Sequence, residues 1–403
     1  MVVKISQRLL AMPASPIRKL VPYALMAKKQ GVKVYHLNIG DPDIKTPEVI
    51  IQSLKNWRIN PIGYGQSQGQ PELIEAVKWY YHRLGFNFIE EKNIQITSGG
   101  SEGISLAFFA VTNPGDEIIT FEPLYTNYNS YAVFNGIKIV PVLTVAENGF
   151  HLPPKAKIEK KITKKTKAIL ICNPNNPTGT VYTKQEIEML LGLAKKHRLF
   201  VISDEVYREF TYDGRRQISL FNYMKTMADQ IIVIDSLSKR YSLCGARLGA
   251  LVSLNQEVMA GALRIAQSRL SAGLIDQTIA AEIKKVPFSH FQKIKKEYQK
   301  RRDIIYSGLK KIPGVFIPKP EGAFYTIVTL PVDDAEDFCR WLLTDFRLNN
   351  ETVMLAPANG FYATQGLGKN QVRLAYVINA NDLKKSIKII QKALAVYNKK
   401  IQN

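Results

Sequence analysis

Apolar and polar positions along this chain alternate between two patterns. Short runs in which most residues are apolar recur at Ile94–Thr97, Glu117–Phe121, Ile137–Val142, Ala168–Cys172, Phe200–Ser203, Ile231–Asp235 and Gly249–Val252. Several are continuous Ile/Val/Leu runs, which predicts strands covered on both faces, as a parallel sheet requires. Between them the apolar period lengthens to three or four residues. Lys184–His197 puts Ile187, Leu190, Leu191 and Ala194 on one stripe, and Pro71–Arg83 does the same with Leu73, Val77 and Tyr80, so both predict amphipathic helices. Strand and helix in alternation predict an α/β fold with a mainly parallel central sheet and helices on both faces.

After about residue 293 the pattern changes. A basic helix is followed by a strand pair around Phe316 and Ala323–Leu330, a helix near 335–348, a strand at Val372–Val377 and a last helix from about Asp382. In that last helix Leu383, Ile387, Ile390 and Leu394 form the apolar face. This predicts a smaller α+β domain. The expected division is residues 46–293 for the large domain and 1–45 with 294–403 for the small one, closely packed with a cleft between them.

Composition changes the picture little. Apolar residues are 46% and charged residues 22% of the 403, ordinary for a globular protein with a large core. Three cysteines (Cys172, Cys244, Cys339) cannot pair completely and five scattered histidines offer no ligand spacing, so neither a disulfide scaffold nor a metal site is expected. No signal-like segment or membrane-length apolar run is present, and a cytoplasmic protein is expected. The net charge of +21 is unusual and raises nucleic acid as a partner. The basic residues concentrate in two runs, 155–167 and 284–302. Neither matches a reader motif, so both are expected to be solvated faces, with no nucleic-acid and no membrane partner.

Candidate chemistry sits just past the predicted strands, at the edge where open α/β sheets bind ligands. The run Ile231–Lys239 ends a buried strand with a lysine, and Arg247 follows eight residues later. A lysine there, beside a second cation, is a candidate for a neutral amine able to form a Schiff base. Asp204 ends another strand three residues before Tyr207, although a strand-end Asp is more often a helix N-cap. Asn173–Gly179 leaves a strand as a Pro/Asn-rich turn, blandly a stiff loop. Thr97–Gly103 precedes an apolar helix at about 104–112 and offers backbone amides to an anion.

In that order, Asn-Pro-x-Asn-Pro-Thr-Gly at 173–179, Asp204-x-x-Tyr207, Ser236-x-x-Lys239 and Arg247 resemble the class I/II aminotransferases, fold-type-I enzymes dependent on pyridoxal 5′-phosphate. The resemblance extends from Leu37–Asp43 through Gly63-Tyr64-Gly65 to Val372–Tyr376 and is strongest to the aspartate-using members. It implies that Lys239 forms the Schiff base and shuttles a proton, and that Asp204 pairs with the pyridine nitrogen. It also implies that Asn176 and Tyr207 bond the 3′-oxygen, and that Tyr125 stacks on the ring. Phosphate would fall to Ser236, Ser238, Arg247 and the amides of Gly100 and Ser101. Arg373, helped by Gly40 and near Asn176, would clamp the substrate α-carboxylate. Tyr64 would reach the phosphate of a neighbouring subunit, which implies a homodimer. The implied reaction is transfer of an amino group from an amino acid, expected to be aspartate, to a 2-oxo acid, expected to be 2-oxoglutarate. A C–S lyase or an alanine- or aromatic-type aminotransferase on the same fold is the alternative, and a nucleic-acid-binding regulator a remoter one. Some aspartate-using relatives carry Lys where this chain has Ser101, and no second substrate-binding arginine is identifiable from the sequence.

Overall fold

The computed structural model describes residues 3–402. Two helices, Gln7–Leu10 and Val21–Lys29, precede the first strand, β1 (Lys33–His36). Seven strands then build the main sheet: β2 (Ile94–Thr97), β3 (Glu117–Glu122), β4 (Lys138–Leu143), β5 (Thr166–Cys172), β6 (Phe200–Asp204), β7 (Ile231–Ser236) and β8 (Gly249–Ser253). Four more follow: β9 (Tyr325–Thr329), β10 (Glu351–Met354), β11 (Ala356–Pro357) and β12 (Gln371–Ala375). The main sheet runs β2-β8-β7-β6-β5-β3-β4, and only β8 is antiparallel to its neighbours.

Successive residues of the central strands point to opposite faces, and both faces are buried. Ile169, Ile171, Val201 and Val233 pack on one side with Leu73, Val77, Ile187 and Leu190 of the helices Pro71–Arg83 and Lys184–His197. Leu170, Ile202, Ile232 and Ile234 pack on the other against Ile104, Phe108 and Val258 of the helices Gly99–Val111 and Gln256–Ser268. Lys184–His197 carries a reciprocal cap, Thr183 with Glu186, which satisfies two of the orphan N-terminal amides.

In the remaining part, β1 pairs in parallel with β10, and β11, β12 and β9 form an antiparallel sheet. Here the sequence pattern was less informative. Phe316 meets Thr329 in an isolated bridge only, and the main partner of β9 is β12. The helix expected near 335–348 ends at Thr344, and Asn349 and Asn350, in the left-handed conformation (φ 52° and 59°), turn the chain into β10. The last helix begins at Ala380.

The lysines of the 155–167 run are exposed or partly exposed, but the second basic run is not simply a solvated face. Arg301 and Arg302, at its end, are buried. Arg301 pairs with Asp43 and Glu297, and Arg302 with Asp213. These bridges tie the helix Ser289–Leu309 to two distant loops.

His151 bridges another pair of segments, 3.0 Å from Glu186 and 3.4 Å from Glu321. Hydrogen bonds from Glu186 and then Glu321 push its pKa up to about 9 against the opposing effect of burial. A raised histidine stabilises the fold fully below its unfolded pKa of about 6.5 and loses that contribution as pH rises through about 9. Unfolding free energy is therefore expected to fall by about 2 kcal/mol across that window, screening by solvent included. Denaturant titrations at pH 6 and 9.5 should show this difference shrinking in His151→Gln; an undiminished difference would assign it to other groups.

Candidate active site

The strand order determines what gathers at the carboxyl edge of the main sheet. β2, β3, β5, β6 and β7 all end there, and β8, being antiparallel, begins there. Reading across the edge, Gly100 follows β2, Arg247 precedes β8, Ser236 ends β7, Asp204 ends β6, Asn176 follows β5 and Tyr125 follows β3. Neighbouring strands lie about 4.8 Å apart, so these groups fall around one cavity although they span more than a hundred residues of sequence. That cavity, about 660 Å³, is lined by every candidate residue named from the sequence except Tyr64. Tyr64 is 85% exposed and lies on a different concavity, beside Ser271 and Gly273.

At the β2-β8-β7 end the chain offers an anion cradle. The helix expected at about 104 starts at Gly99 instead, so Gly100 and Ser101 are in its first turn and their amides have no intrahelical partner. The glycines there serve close packing rather than flexibility: a Cβ at Gly103 would stand 3.1 Å from Ile234, and one at Gly249 would collide with the backbone of Asp235, Gly99 and Gly100. The Ser236 hydroxyl donates to that of Ser238 (2.9 Å), and Arg247 donates to the Cys244 carbonyl (3.0 Å). Two hydroxyls, a guanidinium without an acidic partner among the described residues, and a helix N-terminus form a donor set that suits a phosphate.

In the middle of the edge, Asp204 is 6% exposed. No helix follows it; residues 206–209 form turns, so the N-cap reading fails. Its carboxylate accepts from the Tyr128 hydroxyl at 2.7 Å. Burial, reinforced by Asp235 and Glu205 and opposed by the Tyr128 hydrogen bond, pushes its pKa up to about 6. A buried carboxylate with no cation beside it is costly unless a positive group from outside meets it, and a protonated pyridine nitrogen is such a group. Asn176 and Tyr207 lie together, Nδ2 3.5 Å from the phenol oxygen, and Tyr207 in turn is 3.1 Å from the Tyr325 hydroxyl. The residues present thus fit pyridoxal 5′-phosphate at both its charged ends.

Lys239 donates to the Gly40 carbonyl at 2.9 Å and is the one lysine on the cavity. The short segment that carries it is closed by a salt bridge. Asp235, before the segment, accepts from the Ser236 amide (2.7 Å) and from both terminal nitrogens of Arg240 (2.8 and 2.7 Å), with Arg208 and Tyr81 completing the shell. Burial alone would raise the Asp235 pKa, but the guanidiniums of Arg240 and Arg208 outweigh it and hold the carboxyl below its usual range. Lys239 therefore projects from a fixed base.

Arg373, on β12, is 1% exposed and has no ion pair among the described residues. It donates to Asn176 (3.1 Å) and to the Asn38 carbonyl (2.5 Å), its Nε has no partner, and it lies over the Tyr325 ring. Gly40, expected beside it, spends its carbonyl on Lys239, and Asn38 supplies the backbone contact. Burial lowers the Arg373 pKa, against the opposing influence of the Tyr325, Tyr207 and Tyr125 hydroxyls.

Sequence reasoning did not single out Asn38, Tyr128 or Tyr325. Tyr128 had a signal, lying one helical turn after Tyr125, whereas Tyr325 read as part of a strand and Asn38 as part of a loop motif.

The family model for aminotransferases of class I and II matches residues 32–390. An aspartate aminotransferase of Pyrococcus horikoshii is 31% identical, over 97% of both chains. Among solved structures, alanine aminotransferase from Pyrococcus furiosus superposes with a TM-score of 0.87 at 32% identity, covering 97% of this chain and 100% of the other. Thermus thermophilus aspartate aminotransferase with maleate does so with a TM-score of 0.87 at 27% identity and the same coverage. The cavity at the sheet edge, with its lysine, its two buried charges and its anion cradle, is thus found in a chain that belongs to the class I and II aminotransferases, the pyridoxal 5′-phosphate-dependent transaminases.

Proposed function

We propose that this aminotransferase moves the amino group of aspartate to 2-oxoglutarate in two half-reactions at the cavity described above. The observation that carries the amino-acid part of this reading is Arg373, a fully buried guanidinium with no acidic partner that shares the cavity with Lys239. An uncompensated buried cation costs several kcal/mol, and a substrate carboxylate removes that cost while placing its own Cα near the lysine. The dicarboxylic part is supported by the aspartate aminotransferases among the relatives, one of them with the dicarboxylate maleate.

Bound in this cavity, pyridoxal 5′-phosphate supplies an electron-withdrawing ring that acidifies the substrate Cα–H. The residues divide the remaining work. Asp204 would keep a proton on the pyridine nitrogen. Asn176 and Tyr207 would hydrogen-bond the 3′-oxygen, and Tyr125 would stack on the ring. Ser236, Ser238, Arg247 and the amides of Gly100 and Ser101 would hold the phosphate. Lys239, the lysine on the cavity, would hold the cofactor covalently and, as a free amine, would take the proton from the substrate Cα as general base and give it back as general acid. Arg373 orients the α-carboxylate, with Asn176 and the backbone near Gly40 beside it. The large domain would be residues 46–293 and the small one 1–45 with 294–403, so that substrate lies between them. The exposure of Tyr64 suits a role on a neighbouring subunit, in a cytoplasmic homodimer.

The test is a donor and acceptor panel on the purified holoenzyme, with aspartate, glutamate, alanine and phenylalanine as donors. A single amino acid without oxo acid should leave the cofactor in its amine form and stop; sustained turnover on one substrate would indicate a lyase instead. Arg373→Lys should lower kcat/KM about thirty- to a thousand-fold for every donor, because a point charge replaces a planar fork on the carboxylate all amino acids share. A loss confined to aspartate and glutamate would place the α-carboxylate elsewhere.

A further inference from the structure

The reading above gives Lys239 two tasks, a covalent link and the carriage of a proton, and the second depends on where its amine points. A free neutral primary amine has two N–H bonds and one lone pair, and only the lone pair takes a proton. Two acceptors meet this amine. The Gly40 carbonyl lies 2.9 Å from Nζ and the Cys244 Sγ 3.7 Å, with the Phe324 ring centroid 5.9 Å away. The carbonyl has a place in the chemistry already described, whereas the sulfur has none.

Of the three cysteines, Cys172 and Cys339 are buried, and Cys244 is half-buried on the cavity itself. Its own proton is engaged, because the thiol donates to the Ser238 carbonyl at 3.2 Å. Burial raises its pKa, opposed by Lys239 and reinforced by Asp41. The sulfur therefore faces the amine as a neutral thiol with its lone pairs free, not as a thiolate locked in an ion pair.

The short turn Cys244–Ala246 that carries this thiol is fixed from several sides. The Ser238 carbonyl also accepts from the Leu243 amide (3.1 Å), the Ser242 carbonyl from the Thr46 hydroxyl (2.8 Å), and the Cys244 carbonyl from Arg247 (3.0 Å). A thiol sulfur is a weak acceptor. Held in place, it can direct an amine without binding it so firmly that the amine is kept from its substrate.

We infer that Cys244 is a positioning residue for Lys239: its sulfur and the Gly40 carbonyl take up both N–H bonds of the free amine and leave the lone pair for the substrate Cα proton. This rests on the reading of Lys239 as the general base.

The test compares wild type, Cys244→Ala and Cys244→Ser as holoenzymes, with aspartate and with alanine as donor, each carrying hydrogen or deuterium at Cα. Single-turnover absorbance follows proton transfer, steady-state kinetics give kcat, KM and the isotope effect, and crystals of the amine form of each protein show the Lys239 head group. Cys244→Ala should slow proton transfer about ten- to a hundredfold, the loss expected when a catalytic group is displaced by a fraction of its contact distance, and should enlarge the isotope effect on kcat. KM and cofactor affinity should change less than about threefold, since neither the carboxylate receptor nor the phosphate cradle is altered. The Lys239 head group, in one position in wild type, should spread over more than one in Cys244→Ala. Cys244→Ser restores an acceptor of shorter reach and should recover part of the rate. Proton transfer in Cys244→Ala as fast as in wild type, a loss that merely follows cofactor affinity with the isotope effect unchanged, or a Cys244→Ser variant as slow as Cys244→Ala would each overturn the positioning role. If Lys239→Ala still removes the Cα proton at the wild-type rate, the reading of Lys239 as base falls, and Cys244 with it.

Discussion

Lys239→Ala is expected to abolish transamination, by at least about 10⁴-fold, because in the proposed mechanism one amine supplies both the covalent link to the cofactor and the proton carrier. No substitute is at hand, since the other cations on the cavity are arginines, always protonated and unable to act as nucleophile or base. The variant should still fold and bind pyridoxal 5′-phosphate. The phosphate cradle and Asp204 are untouched, and the Asp235–Arg240 bridge that closes the segment uses neighbouring side chains. Borohydride treatment followed by peptide mass spectrometry should fix the cofactor to Lys239 in wild type and to no lysine in the variant. Cofactor fixed to any other lysine of the wild-type chain would refute the assignment.

Asp204→Ala should retain the cofactor through its phosphate yet slow Cα proton removal by about 10³-fold or more, because a ring nitrogen that loses its proton no longer draws off the developing negative charge. Asp204→Asn separates charge from shape. It preserves the volume and an oxygen for the Tyr128 hydroxyl, which now donates to the carboxylate at 2.7 Å, but it carries no negative charge. Asn is therefore expected to be nearly as slow as Ala, and Glu to recover part of the rate. Stopped-flow absorbance with deuterated aspartate would isolate the proton-transfer step by its isotope effect. A near-normal rate in the Asn variant would reduce Asp204 to a hydrogen-bond acceptor for Tyr128.

Much of this protein was readable along the chain, for a physical reason. The strands of a doubly covered sheet must be apolar at successive positions, so Ala168–Cys172 and Ile231–Asp235 mark themselves as strands without reference to the rest of the fold. An amphipathic helix does the same at its own period, and both helices placed by their stripes, Pro71–Arg83 and Lys184–His197, have those bounds in the structure. The candidate residues other than Tyr64 were legible because each lies within a few residues of a strand end, in an order that matches one family. Only the tertiary structure could decide what depends on segments far apart in sequence. The antiparallel setting of β8 brings Arg247 to the same edge as Ser236. The turn at residues 15–19 reaches Arg373 through Asn38. Charged residues look alike in a sequence whatever their surroundings, so a basic run could not announce that Arg301 and Arg302 are buried ion-pair partners while neighbouring lysines face solvent. Nor could it mark out Arg373, held in the interior with no ion pair among the described residues. Burial and pairing arise from packing between distant segments, which the local period of apolar residues does not encode.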